Sequence, residues 1–337
     1  MKKLFFSLVA VVFAFMSYAQ STLVATLTHG DEIKMFYGVK ALQQAHAAAV
    51  DGDIINLSGG RFEMASNGGG DITKGITIRG TGVDASNPTI IVNNCYIKLP
   101  DSATERLSIE GCRFQCHVYV EGNLTNAYFL KCYFHWTYYA RGNDRNTMFV
   151  NCRFGRFEVS NGVSKTHQFV NCNISEYFDY YGGASSKFIN CVVSPLTSSG
   201  LYIKNSELIN CVIVYNGKNG DPTLSSSNTA RYCVACGSAY GKDIRENYKN
   251  LFDNLAFRQN CSLAGMDIFV DSNPENDLTD EAKATYLGND GTPRGMYGGP
   301  FPFSWTPTYP QITKMNVANK TTADGKLSVE IEVSATE

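Results

Sequence analysis

The chain has 337 residues, 29 basic and 31 acidic side chains, and a formal net charge of −2. A balance this close to neutral, with no basic block and no acidic tail, gives nucleic acid no electrostatic footing. The 11 cysteines are odd in number, so disulfides within the chain would leave at least one thiol unpaired.

Residues 1–19 read as an export signal. Lys2 and Lys3 precede the apolar run LFFSLVAVVFAF, and Ser17 and Ala19 supply the small-x-small pattern of a signal-peptidase site. The run has 12 residues, too few to cross a bilayer. Cleavage after Ala19 predicts an exported chain of net charge −4 with no transmembrane segment, placed in the periplasm, at the cell surface or in the medium.

The next predicted element is a helix over about residues 38–50. Val39, Leu42, Ala45 and Ala49 fall on one helical face. His46 lies at the edge of that face, where a partly buried, hydrogen-bonded role is expected rather than a ligand role. The turn DGD then leads into the strand-like IINL.

From Cys112 a period takes over. Cys112, Cys132, Cys152, Cys172, Cys191, Cys211 and Cys233 follow at intervals of 20, 20, 20, 19, 20 and 22 residues. Asn151, Asn171, Asn190 and Asn210 immediately precede four of them, in the stretches FVNC, FVNC, FINC and LINC. Gly111 and Lys131 hold the same slot in two other repeats. After each Cys the residues alternate apolar and polar, as in Cys152-Arg153-Phe154, which is the period of a strand with one buried face. Two residues before each Asn slot stands a large apolar residue, from Ile109 and Phe129 to Phe188 and Leu208. Repeats of ~20 residues built from short strands predict an all-β solenoid, a parallel β-helix in which equivalent residues stack ~4.8 Å apart. The Asn column suits a sharp bend needing left-handed backbone angles. The Cys column suits a narrow interior, with thiols expected to be reduced because parallel neighbours are poorly aimed for a disulfide.

The NCRF, NCNI and NCVV pattern resembles the right-handed parallel β-helix superfamily typified by pectin and pectate lyases. GVKALQQAHAAAVDGDIINLSGG resembles the capping helix and first strand of such proteins. Residues 20–305 are assigned to the β-helix, of roughly ten coils. YLGNDGTPRGMYGGPFPF resembles their closing segment, and residues 306–337 read as a linker and a two-stranded tail about the ADG turn. The disulfide status of Cys116, Cys233, Cys236 and Cys261 stays open, with a bridge among the later ones plausible because Cys236 and Cys261 fall outside the column.

The resemblance implies a polysaccharide partner on the outer face. The aromatic clusters are the candidate contacts: Tyr133, Trp136, Tyr138 and Tyr139, then Tyr177, Tyr180 and Tyr181. Exposed rings with polar neighbours suit sugar faces; the bland alternative is that half of them fill the core. A lyase of this superfamily would need a carboxylate cluster for Ca²⁺ and a basic side chain to take the proton. No acidic column appears, and Asp144 and Asp179 are the available carboxylates. Arg145, Lys165 and Lys204 share an offset of six residues before the Asn slot, so Arg145 or Lys165 would be the base of such a lyase; a solvated turn face is the preferred reading of that column. Outside the lyase alternative no cofactor or metal is expected. Leu130, Val150, Val170, Ile189 and Ile209 form an outward apolar stripe that needs cover. The chain's own C-terminal part is the expected cover, and a surface adhesin or scaffold binding protein there is the third functional reading.

Overall fold

A computed structural model describes residues 23–334 apart from 65–69, 161–164, 181–184, 194–202, 218–223, 225, 240–241, 248–251, 253–254, 275, 318–324 and 327–328. The chain is all-β, a parallel β-solenoid of about 7 turns with very few helices. The strands of successive coils stack in parallel into a 13-stranded sheet and a 14-stranded sheet, the first of which also takes in the N-terminal hairpin. The export signal lies outside the described residues, among which no helix is long and apolar enough to cross a membrane.

The bend between the two sheets falls on the Asn slot. Asn151, Asn171, Asn190 and Asn210 have φ between 50° and 54°, and Lys131, Tyr232 and Asn260 adopt the same left-handed conformation in their coils. Asparagine tolerates that region better than other non-glycine residues. The bend sends each following Cys inward, and Cys112 through Cys233 in the column are fully buried. From Cys132 to Cys233 each single S–H is shared between two backbone carbonyls. Cys152 donates to the carbonyls of Val150 and Phe129, both at 3.4 Å, and Cys172 to those of Val170 and Phe149 at 3.4 and 3.3 Å. All 11 cysteines are free thiols, so no bridge joins Cys236 and Cys261.

Beside the thiols run two aromatic columns. Phe129, Phe149, Phe169 and Phe188 stack at 4.8–5.2 Å on the first sheet, and Phe114, Phe134 and Phe154 at 4.9–5.0 Å on the second. The columns meet edge to face, as at Phe149 and Phe154. Both arrangements suit the ring quadrupole.

The N-terminal end is closed by the helix Ala41–Ala48 and an antiparallel hairpin, Val24–His29 with Glu32–Tyr37. Ala41, Leu42, Ala45 and His46 are the buried helical face; Val39 precedes the helix and is exposed. Lys74 donates to the carbonyls of His46, Ala47 and Ala49, where the helix dipole favours a cation. Gln311–Val317 and Val329–Ser334, late in the chain, form an antiparallel pair of their own.

Residues 286–308 run back along the solenoid as a strap over the Asn bends. Asn171 Nδ2 donates to the carbonyls of Met296 and Gly298 at 2.8 and 2.6 Å. Asn151 accepts from Ser304 N and donates to Phe301 O, and Asn210 bonds Asn289 both ways. Thr308 N and Oγ1 donate to Glu110. The amides of this column thus hold the strap. A second hydrophobic cluster, with Val192, Val212 and Val234 on its solenoid side and Ile268, Phe269, Leu278 and Met296 over them, packs the segment before and within the strap. Of the expected outward stripe, Val150 is buried, and Leu130, Val170, Ile189 and Ile209 are half-buried.

Candidate functional site

The outer face of the second sheet carries the densest array of chemically useful side chains. In the strands Cys95–Ile97 and Val118–Val120 the flanking residues point inward and the central tyrosine points out. Pairing in register aligns Asp71, Tyr96, Tyr119, Tyr139 and Glu158 in one column, one residue per coil. Tyr96 and Tyr119 stack at 5.0 Å, and Tyr119 and Tyr139 at 4.9 Å with planes 4° apart.

Cations close over these rings. The Arg141 guanidinium lies 4.5 Å from the Tyr119 ring centre and 4.7 Å from that of Tyr139, and Lys98 Nζ lies 4.9 Å from Tyr96. Lys98 also reaches Asp71 at 3.3 Å and Glu121 at 3.4 Å, with Arg141 at 3.9 Å from Glu121. These pairs are solvent-exposed, so they contribute little stability and remain available to a ligand. His117 sits among Tyr119, Tyr139 and Trp136 with its Nδ1 unpartnered. Burial, aided by Arg156 and Arg141, holds its pKa below the usual imidazole range. Trp136 packs edge-on against His117 and is 53% exposed.

Tyr133, Trp136 and Tyr139 therefore belong to this face. Tyr133 lies between Arg113 and Arg153, at 5.2 and 5.3 Å from its ring centre. Tyr138 does not belong: it is fully buried, and its hydroxyl donates to Asp144 Oδ2 at 2.9 Å. The cause is a bulge between Phe134 and Thr137 that reverses the in–out alternation. The side chains of Tyr177, Tyr180 and Asp179, and all of Tyr181, lie outside the described residues.

The basic column does not form. A second bulge, between Arg145 and Thr147, pairs Arg145 with Thr166 and turns Lys165 inward. Lys165 is fully buried and donates to the carbonyls of Ala140 and Ser160, and burial lowers its pKa. Asp144 is buried as well, accepting from Tyr138 and Thr147, with His167 Nε2 at 3.0 Å. Neither can meet a substrate. Arg145 is exposed and lines a groove of about 390 Å³ with Asp101, Glu105, Asn123 and Asn143. Among the described residues no three His, Cys, Asp or Glu side chains gather to hold a metal ion.

Tyr96, Tyr119, His117 and Arg141 were not singled out by the sequence reading. Tyr119 and Tyr139 each stand seven residues after a column Cys, so counting offsets for tyrosine would have paired them. Tyr96 falls in a coil of different length and carries no such signal. No protein-family model, curated protein or solved structure matches the chain.

Proposed function

We propose that this is an exported polysaccharide-binding β-helix protein, akin to the pectin and pectate lyase-like superfamily in its coil pattern, that holds its glycan on the outer face of the second sheet. The observation that carries this reading is Trp136, half-exposed beside a ladder of tyrosines and paired charges repeated from coil to coil. The tyrosine rings cover one another's faces and are capped by Arg141 and Lys98. The open indole face is therefore the stacking surface, while phenol edges, Lys98, Glu121 and Arg141 supply hydrogen bonds to hydroxyls.

The test is affinity electrophoresis of the mature chain against a panel of soluble polysaccharides. One or more should retard it, and Trp136→Ala should weaken retardation about 3- to 10-fold, the worth of one aromatic contact. Equal migration of wild type and Trp136→Ala on every retarding glycan, or no retardation at all, would remove this reading.

The lyase alternative has less support. Asp144 and Lys165 point into the core, and Arg145 alone remains in a groove. The acidic groups there, Asp101 and Glu105, do not fit a Ca²⁺ site of the required ligand count, and Asp101 already accepts from Asn123.

A further inference from the structure

At the C-terminal end of the solenoid the thiol column comes out towards solvent. Val234 pairs with Ser262, so Cys233 and Cys261 occupy equivalent places one coil apart. Cys233 is fully buried, whereas Cys261 is half-buried and stacks one coil beyond it, with Gln259 O 3.6 Å from its sulfur. Cys261 lines a cavity of about 260 Å³ with Phe252, Arg258, Asn260, Ser262 and Leu263, which is an entry path from the end of the molecule.

Arg294 lies beside this pair and is only 8% exposed. Its Nη1 donates to Cys233 O at 2.9 Å and Ser262 Oγ at 3.0 Å, and its Nε donates to Leu287 O at 3.0 Å. Tyr286 lies under the guanidinium at 5.9 Å. Every one of these partners is neutral, and among the described residues no carboxylate pairs with it. A buried guanidinium without a counter-charge is costly. A negative charge formed at the two sulfurs would compensate it.

Among the described residues no group of three His, Cys, Asp or Glu side chains forms here, which is fewer donors than tetrahedral zinc takes. Soft monovalent ions such as Cu(I) and Ag(I) prefer thiolates and accept two of them in line. We propose that Cys233 and Cys261 form a two-coordinate thiolate site for a soft monovalent metal ion, with Arg294 as its built-in counter-charge. On binding, both S–H bonds break, two sulfur–metal bonds form, and two protons leave to solvent. One cation and two thiolates make a complex of charge −1, which the guanidinium neutralises. No redox step is involved. Because both thiols must be deprotonated, binding strengthens as pH rises.

Ag(I), which needs no reductant, is the probe. Calorimetric titration of the fully reduced mature chain in chloride-free buffer, with parallel measurement of acid release, should give one tightly held ion and two protons per chain. Cys261→Ser should abolish that site, and Cys112→Ser, at the far end of the column, should leave it intact. Arg294→Met should weaken it about 10- to 100-fold, as loss of an outer-shell partner does, and Arg294→Lys should restore most of the affinity. Cys261 is half-buried at a chain end, so its serine variant keeps the test decisive even if Arg294→Met does not fold. Tight binding that survives Cys261→Ser, or no tight binding by the wild type, would overturn the assignment.

Discussion

Single residues divide between those whose role follows from chemistry alone and those whose role depends on a neighbour far along the chain. Asn171 shows both. Its left-handed backbone angle is a local property. Its amide bonds to Met296 and Gly298 join residues more than 120 positions apart, and no local pattern announces them. Tyr138 and Tyr139 stand side by side in the sequence and face opposite ways, because one extra residue in a strand inverts every orientation after it. His46 supports a prediction at this scale. Its burial, with Lys74 nearby and partly offset by Asp71, lowers its pKa to about 4, and its Nε2 accepts from Thr73 N. The unfolded chain binds a proton at this site below pH 6.5 and the folded chain only near pH 4, so stability rises with pH across that window. Acidification from pH 6.5 to about 4 should cost wild type about 3 kcal/mol from this residue. Urea unfolding of wild type and His46→Gln across that range checks it: the difference between them should change with pH, and a constant difference would refute the account.

Elements here are short, and most strands have little stability of their own; each coil is held by the coils on either side. The strap is different in kind, since it crosses many coils and touches them mainly at the Asn bends. Gly299 is a point where its backbone comes close to the amide column. Its φ is +74°, and a Cβ there would fall 1.9 Å from Asn190 Nδ2. Gly299→Ala should therefore lift the strap locally, at a cost of about 1–3 kcal/mol. Amide exchange should quicken between residues 295 and 304 while the Phe149 coil keeps its protection. Unchanged exchange in the strap would show that its seating does not depend on that contact. The run YLGNDGTPRGMYGGPFPF within the strap resembles a closing segment, but its path across the amide column was legible only in three dimensions.

For the whole molecule, the interior is largely apolar, broken by the buried Asp144, Lys165 and His167, with thiols in file along one side. Burial pushes the Cys112, Cys152, Cys191, Cys211 and Cys233 thiols well above their ordinary range. Ten of the 11 are buried and one, Cys261, is half-exposed. A disulfide reagent applied to the native protein should titrate a single thiol, slowly, and all 11 once the chain is unfolded. Several thiols reacting at once in the native state would mean that the coils open independently of one another.

The sequence by itself determined the solenoid, the inward cysteines and the bends at asparagine, because coils that stack turn a constant interval into a row of like side chains. It also picked out Tyr133, Trp136 and Tyr139 of the outer face, within aromatic clusters at 133–139 and 177–181. Only the tertiary structure decided which tyrosines face solvent, that Asp144 and Lys165 are interior, that the amide column anchors the strap, and that Arg294 binds the Cys233 carbonyl and Ser262 beside the last two cysteines. The physical reason is that bulges and long returns change a side chain's surroundings without changing the interval that a periodic reading measures.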